Sequence, residues 1–319
     1  MSFETILPFL RPVEPLLMDP TVSEIMINPG SGVFVERDGV CVRAAGVEIS
    51  DAQVRTAAIM IARHLGEEIG EERPLLDARL PDGSRVAAAF PPCSVGGAAM
   101  TIRKFQRHLF TLDELMRVGM VTKQTRMILE DAVIDQKNIL ISGGTGSGKT
   151  TLLNALVALI PPCERLVVIE DTAELRVEQP NRLRLEARRS LGEAPAVTIR
   201  ELLRATLRHR PDRIIVGEVR GAEAFDLLQA LNTGHGGSLT TIHANSVALA
   251  VNRLTTCAQM AQTGMPYQAT RLQIADSIHL VVHVARGSDG RRVVKLVSRL
   301  ERYDAASDRF ELERLFEAR

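Results

Sequence analysis

The hydrophobic rhythm of the chain changes about a third of the way along. Through the first hundred residues short apolar runs alternate with turn residues. "SEIMIN" leads into the turn "PGSG", and "VFVERDGVCVRA" reads as a hairpin turning at Asp38-Gly39. After a cap at Ser50-Asp51, Val54, Ala57, Ala58, Ile61 and Leu65 recur at helical spacing until Gly66. Two more strands, "SRVAAAFPP" and "GAAMTIRKF", are separated by a loop rich in Pro and Gly. The pattern predicts an α+β domain over residues 1–105, then a connector with a short helix, with 106–120 as linker.

Over residues 121–319 strands and helices alternate regularly. "NILISG", "RLVVIED", "RIIVGE" and "SLTTIH" are strand-length apolar runs, with the helical segments "TTLLNALVALI", "TIRELLRATLRH" and "AEAFDLLQALN" between them. Strands apolar on both faces belong in a mainly parallel sheet covered by helices on both sides. The predicted fold class is therefore α/β, with an N-terminal α+β domain in front.

Composition narrows the function classes. Lys plus Arg equals Asp plus Glu at 39 each, so no overall field draws the chain to nucleic acid or an acidic membrane. Aromatic residues are 3% with no Trp, which leaves few rings for stacking bases and argues against direct nucleic-acid binding. Cys41, Cys93, Cys163 and Cys257 form no CxxC pair, so neither a zinc knuckle nor a redox dithiol is signalled. The N-terminus lacks a basic, then apolar, leader, and no run approaches the ~20 apolar residues of a membrane span. A soluble, cytoplasmic protein is expected.

The chemistry begins with "GGTGSGKT", Gly143 to Thr150, a full match to GxxxxGK[ST] between a strand and a helix. Glycines let backbone N–H groups turn towards phosphate oxygens, and the helix N-terminus adds partial positive charge. Lys149 reaches the β- and γ-phosphates and the Thr150 hydroxyl is placed for Mg2+. Glu170, Asp171 and Glu218 follow apolar strands, so all three acids are expected at the strand C-termini, where ligands gather in open α/β sheets. Glu218 is the first candidate for orienting or deprotonating a water. Glu170 acts on Mg2+ through water or shares that role, with Asp171 beside it; the residues leave both assignments open.

In order, "GGTGSGKT", "IEDTAELR" and "RPDRIIVGEVRGAEAFDLLQALNTGHGGSLTTIHANS" resemble the Walker A, Asp, Walker B and His boxes of the traffic ATPases of type II and type IV secretion systems. The resemblance looks closest to the conjugal-transfer TrbB branch, related to the VirB group. It implies a RecA-like P-loop NTPase domain hinged to the N-terminal domain, with nucleotide at their boundary, in a homo-hexameric ring. It further implies that Gly143, Gly144, Thr145, Gly146, Ser147, Gly148, Lys149, Thr150 and Thr151 bind ATP. Glu170 and Asp171 then belong to the Asp box, Glu218 is the Walker B acid, His243 is the His-box residue, and Arg103 and Arg85 face the γ-phosphate. There is no cysteine set for the zinc module of type II members, and no "AIRNLIRE"-like segment of pilus-retraction members.

The implied function is an ATP-hydrolysing motor of a conjugation or type IV secretion machine, working with its inner-membrane and cytoplasmic components at the cytoplasmic face of the membrane. An ATP-gated docking switch and a pilus-type motor are the alternatives. Taken alone His243 reads as a core histidine; after three site-bearing strands it reads as a γ-phosphate sensor in preference to a base. His279 and His283 fall on a strand and read as structural, His235 as a loop residue near the site or in solvent. Arg204 and Arg208, one helical turn apart, read as a basic surface or a subunit contact.

Overall fold

The computed structural model describes residues 7–37, 39–80, 82–105, 109–188, 195–287 and 290–318. Asp38 of the expected hairpin turn and 106–108 of the expected linker lie outside the described residues. The chain divides into two compact units, Met1–His108 and Leu109–Arg319.

In the first unit a 3-10 segment, Leu7–Val13, runs into α1 (Glu14–Met18), then β1 (Val22–Asn28), β2 (Gly32–Arg37), β3 (Val40–Arg43), α2 (Asp51–His64), β4 (Leu75–Arg79), β5 (Arg85–Ala89) and β6 (Ala99–Arg103). The strands form one antiparallel sheet in the order β3-β2-β1-β6-β5-β4. Ser50 caps α2 reciprocally with Gln53, and the helical stripe Val54, Ala57, Ala58 and Ile61 is buried. Ile25, Val35, Val86, Met100 and Ile102 join that stripe in one core. The alternate positions face the other way.

The second unit holds α3 (Leu112–Arg117), α4 (Lys123–Ile134), β7 (Ile139–Gly143), α5 (Lys149–Val157), β8 (Leu166–Glu170), β9 (Arg182–Glu186), α6 (Ile199–Thr206), β10 (Arg213–Val219), α7 (Glu223–Asn232), β11 (Leu239–His243), α8 (Val247–Gln259), α9 (Tyr267–Ser277), β12 (Leu280–Arg286), β13 (Arg292–Asp304) and β14 (Arg309–Glu317). Within the segment read as a connector, α3 contributes Leu112 and Leu115 to this unit's core.

The sheet order is β14-β13-β12-β7-β11-β10-β8-β9. From β12 across to β9 the pairings are parallel; only β13 and β14 add antiparallel ribbons. Alternation splits each buried strand between two cores. Ile139 and Ile141 pack with α3 to α5, whereas Leu140 packs with α7, α8 and α9. Full burial of such an aliphatic side chain stabilises by about 1.5–3 kcal/mol.

At the base of β10, Arg213 is fully buried and pairs with both oxygens of Glu164 while donating to the Val133 carbonyl at 2.6 Å. A Cβ at Gly237 would fall 2.8 Å from that guanidinium, so the loop before β11 requires glycine there. The opposite end of the same strand carries Glu218.

Candidate nucleotide site at the strand ends

The loop after β7 turns on glycine. A Cβ at Gly143 would collide with the Ser147 hydroxyl and the Val284 carbonyl, and Gly146 and Gly148 have φ of 68° and 97°. The chain thereby wraps back into α5, whose first residue is Lys149. Lys149 is only 7% exposed, and its Nζ donates to the carbonyls of Gly143 at 3.0 Å and Gly144 at 2.8 Å. The Ser147 hydroxyl also donates to Gly144 O, at 2.9 Å. Arg292 Nε donates to Gly146 O at 3.0 Å, holding the crown of the loop by a carbonyl and consuming no amide donor. Its cross-strand partner Arg286 also reaches Gly146. Neither arginine stands out in the sequence, because the contact spans 146 residues and depends on the β12–β13 register.

The crossover of the sheet sets β11 directly beside β7, and the register pairs His243 with Gly143. On the next strand, β10 bulges between Val216 and Val219, where one more residue is used than on β11. Thr241 Oγ1 donates to Gly217 O at 2.7 Å within that bulge. The bulge aims Glu218 at its neighbour, with Oε1 2.7 Å from His243 Nε2. His243 Nε2 is thus the close partner of this buried oxygen.

The other oxygen, Oε2, accepts from Arg220 Nε and NH2 at 2.9 and 2.7 Å. Arg220 NH1 extends to Asp171 Oδ2 at 3.4 Å. His243 is held below its ordinary pKa first by burial and then by the Lys149 charge, with Glu218 opposing and Arg220 and Arg253 adding to the depression.

Glu170, at the end of β8, is 4% exposed. Its Oε1 accepts from the amides of Glu174 and Leu175 at 2.8 and 2.7 Å, and Arg184 lies 3.7 Å from Oε2. A Cβ at Gly217 would sit 3.1 Å from Glu170 Cγ, so the carboxyl is pressed between two strand ends. Burial pushes its pKa up to about 7, against the two amide bonds and Arg184.

In the first unit, the sheet register sets Arg85 beside Arg103, with Arg79 next to Arg85 and Glu24 next to Arg103. Directly paired residues share a face, so these side chains form one row on the face opposite Val86 and Ile102. Arg103 Nε lies 3.6 Å from Glu24 and Arg85 NH2 3.9 Å from Asp77. Arg79 is the member that sequence reasoning missed, because β4 carried no recognised strand pattern.

Three further histidines have side-chain partners. His279 Nδ1 accepts from the Asn138 amide at 3.0 Å, and His283 Nδ1 lies 3.0 Å from the Ser142 hydroxyl. His235 Nδ1 lies 3.1 Å from Ala230 O. Arg204 is not a free basic surface. With Arg200 it grips Asp226 at 2.7 and 2.6 Å, tying α6 to α7, whereas Arg208 is exposed.

The family model for "Type II/IV secretion system protein" matches residues 9–305. The chain belongs to that family. It is 39% identical over 284 residues to the conjugal transfer protein TrbB of Rhizobium radiobacter, covering 88% of this chain and 84% of the relative. Among solved structures it resembles the VirB11 ATPase of the Brucella suis type IV secretion system in complex with sulphate, at 32% identity and TM-score 0.50 over 93% and 94% of the two chains. The Legionella pneumophila ATPase DotB matches at TM-score 0.64 and 22% identity over 96% and 82%, a likeness of fold. The fold is mixed α/β, as the sequence pattern predicts, and the structural neighbours carry RecA-like domains, as the resemblance implies. No helix among the described residues is long and apolar enough to cross a membrane.

Proposed function

We propose that this chain is an ATPase that powers a conjugation or type IV secretion machine, acting as a homo-hexamer at the cytoplasmic face of the inner membrane. The observation that carries the reading is the pairing of Glu218 with His243 at 2.7 Å, on the two strands next to the one that ends in a complete phosphate loop. A carboxylate and an imidazole placed there suit a water that is to be oriented or deprotonated next to a phosphoryl group.

Gly143 to Thr151 cradle the phosphates, and Lys149 leaves its loop carbonyls to meet the β- and γ-oxygens. Glu218 orients the attacking water through Oε1. His243 reads the γ-phosphate by hydrogen bond, and Arg103 and Arg85 are the candidates for favouring the ATP-bound state. Glu170 has one oxygen saturated by its own loop, which supports Glu218 as the acid that works on water and gives Glu170 the task of shaping the Asp box.

The donors around the loop are hard oxygens, the Thr150 hydroxyl and the part-exposed Asp171 carboxylate, which fits Mg2+ shared with phosphates. Mg2+ held there would neutralise charge on the phosphate oxygens. No cluster of three or more His, Cys, Asp or Glu suited to a metal occurs among the described residues, so the protein offers part of a coordination shell.

The reading is tested by phosphate release from wild type and Lys149→Ala. Loss of release in the variant is expected; equal rates overturn the proposal. Nucleotide binding with turnover no faster than buffer would favour the docking switch instead.

A further inference from the structure

Arg220 stands just beyond β10 and places three of its guanidinium nitrogens on two acids from different strands. Nε and NH2 both donate to Glu218 Oε2, at 2.9 and 2.7 Å, and NH1 reaches Asp171 Oδ2 at 3.4 Å. The backbone around it is fixed as well. Glu223 Oε1 accepts from the amides of Arg220 and Gly221 at 2.6 and 2.8 Å, so the turn that presents the guanidinium does not depend on the guanidinium itself.

A carboxylate is free to exchange its two oxygens by rotation about its last torsion. The fork of Arg220 commits one of them, Oε2, and leaves Oε1 as the oxygen aimed at His243. The link to Asp171, which follows Glu170, also ties the ends of the paired strands β8 and β10 to one another.

We infer that Arg220 is a positioning residue for Glu218: it selects which carboxylate oxygen meets the reacting water and holds it in register with the phosphate loop. The inference rests on the proposed ATPase reading. Arg220 is half-exposed, and exposed ion pairs contribute little to folding, so its removal separates positioning from stability. Lysine is a poor substitute, because a single ammonium does not span both acids in a fixed plane.

The experiment compares wild type, Arg220→Ala, Arg220→Lys and Glu218→Gln in phosphate release, in ATP affinity by direct binding and in melting temperature. Arg220→Ala is expected to lose roughly tenfold to a hundredfold in kcat, the scale of a mispositioned catalytic group, with ATP affinity and melting temperature held. Arg220→Lys regains part of the rate. Free guanidinium ion at millimolar concentration raises the rate of Arg220→Ala and leaves wild type and Glu218→Gln unchanged. A wild type without turnover overturns the ATPase reading together with this one. A wild type that turns over beside an equally fast Arg220→Ala overturns only the positioning role, as does a loss confined to ATP affinity or one that guanidinium does not relieve.

Discussion

The ends of β8 and β10 carry the same functional group in opposite circumstances. Glu170 is almost fully buried, pressed against Gly217, and one of its oxygens is occupied by the amides of its own following loop. Glu218 sits on a bulge of the neighbouring strand, has one oxygen gripped by Arg220 and turns the other to His243 at 2.7 Å. Both are acids after a buried strand; the sequence puts Glu218 first for the water and leaves Glu170 to act on Mg2+ or to share that role. What separates them is the direction of their hydrogen bonds: Glu170 is turned inward to its own backbone, whereas Glu218 is turned outward to the crevice beside the phosphate loop. Glu170, with a side chain 4% exposed, is less open to a water than Glu218 at 18%.

The largest effect expected from this contrast is in turnover. Glu218→Gln should lower kcat for phosphate release by about 10²–10⁴-fold, the usual contribution of a general base, while retaining ATP binding. Glu170→Gln, which preserves an acceptor for Glu174 and Leu175, should lose distinctly less. Steady-state kinetics of the two variants side by side decide the assignment, and the reverse ranking would exchange the roles of the two acids.

Next in size is stability, where the ranking should invert. Glu170→Leu leaves two buried amides without an acceptor and should destabilise by about 2–5 kcal/mol in denaturant unfolding. With the folded-state pKa of Glu170 raised from 4.5 to about 7, the folded protein binds that proton more tightly than the unfolded chain. Its contribution to stability is therefore fully present below the unfolded value near 4.5 and lost as pH rises through about 7. Without nucleotide or magnesium, wild type should lose up to roughly 3 kcal/mol relative to Glu170→Gln between pH 5 and pH 8. Parallel pH profiles for the two proteins would mean that the carboxyl is not held in a desolvated state.

The smallest effect concerns the partner of the outward acid. His243→Ala should keep ATP binding and lose roughly tenfold to a hundredfold in turnover or in its coupling to transfer, since the imidazole reports on phosphate and does not perform the proton transfer. A variant fully active in both assays would return His243 to a structural role and leave Glu218 Oε1 with a different neighbour in the working state.

Much of this contrast could be anticipated and some of it could not. The phosphate loop was legible because its geometry is local: glycines at fixed offsets, then Lys149 opening a helix. The strands β7, β8, β10 and β11 were legible because burial on both faces forces continuous apolar runs. β9 and β14 were not recognised. They lie at the edges of the sheet, where one side is unpaired and exposed, and "RLRLE" alternates charge with leucine without a turn signal to frame it. The long β13 escaped because its charges are spread over 13 residues of a half-exposed ribbon. The bond of the exposed Arg204 to Asp226 is not legible in the sequence, because its partner is 22 residues away on another helix.

The sequence by itself determined two units of different grammar, a phosphate-binding loop between a strand and a helix, and a set of acids and a histidine at strand ends. Each follows from periodicity or from residue type at short range. Only the tertiary structure decided that His243 lies in register with Gly143, that Arg286 and Arg292 return from a distant hairpin to the crown of the loop, and that Arg79, Arg85 and Arg103 form one row. It also decided which acid faces inward and which outward. Those relations are set by strand order, by register and by a single bulge in β10, and a one-residue change in register would send each side chain to the opposite face.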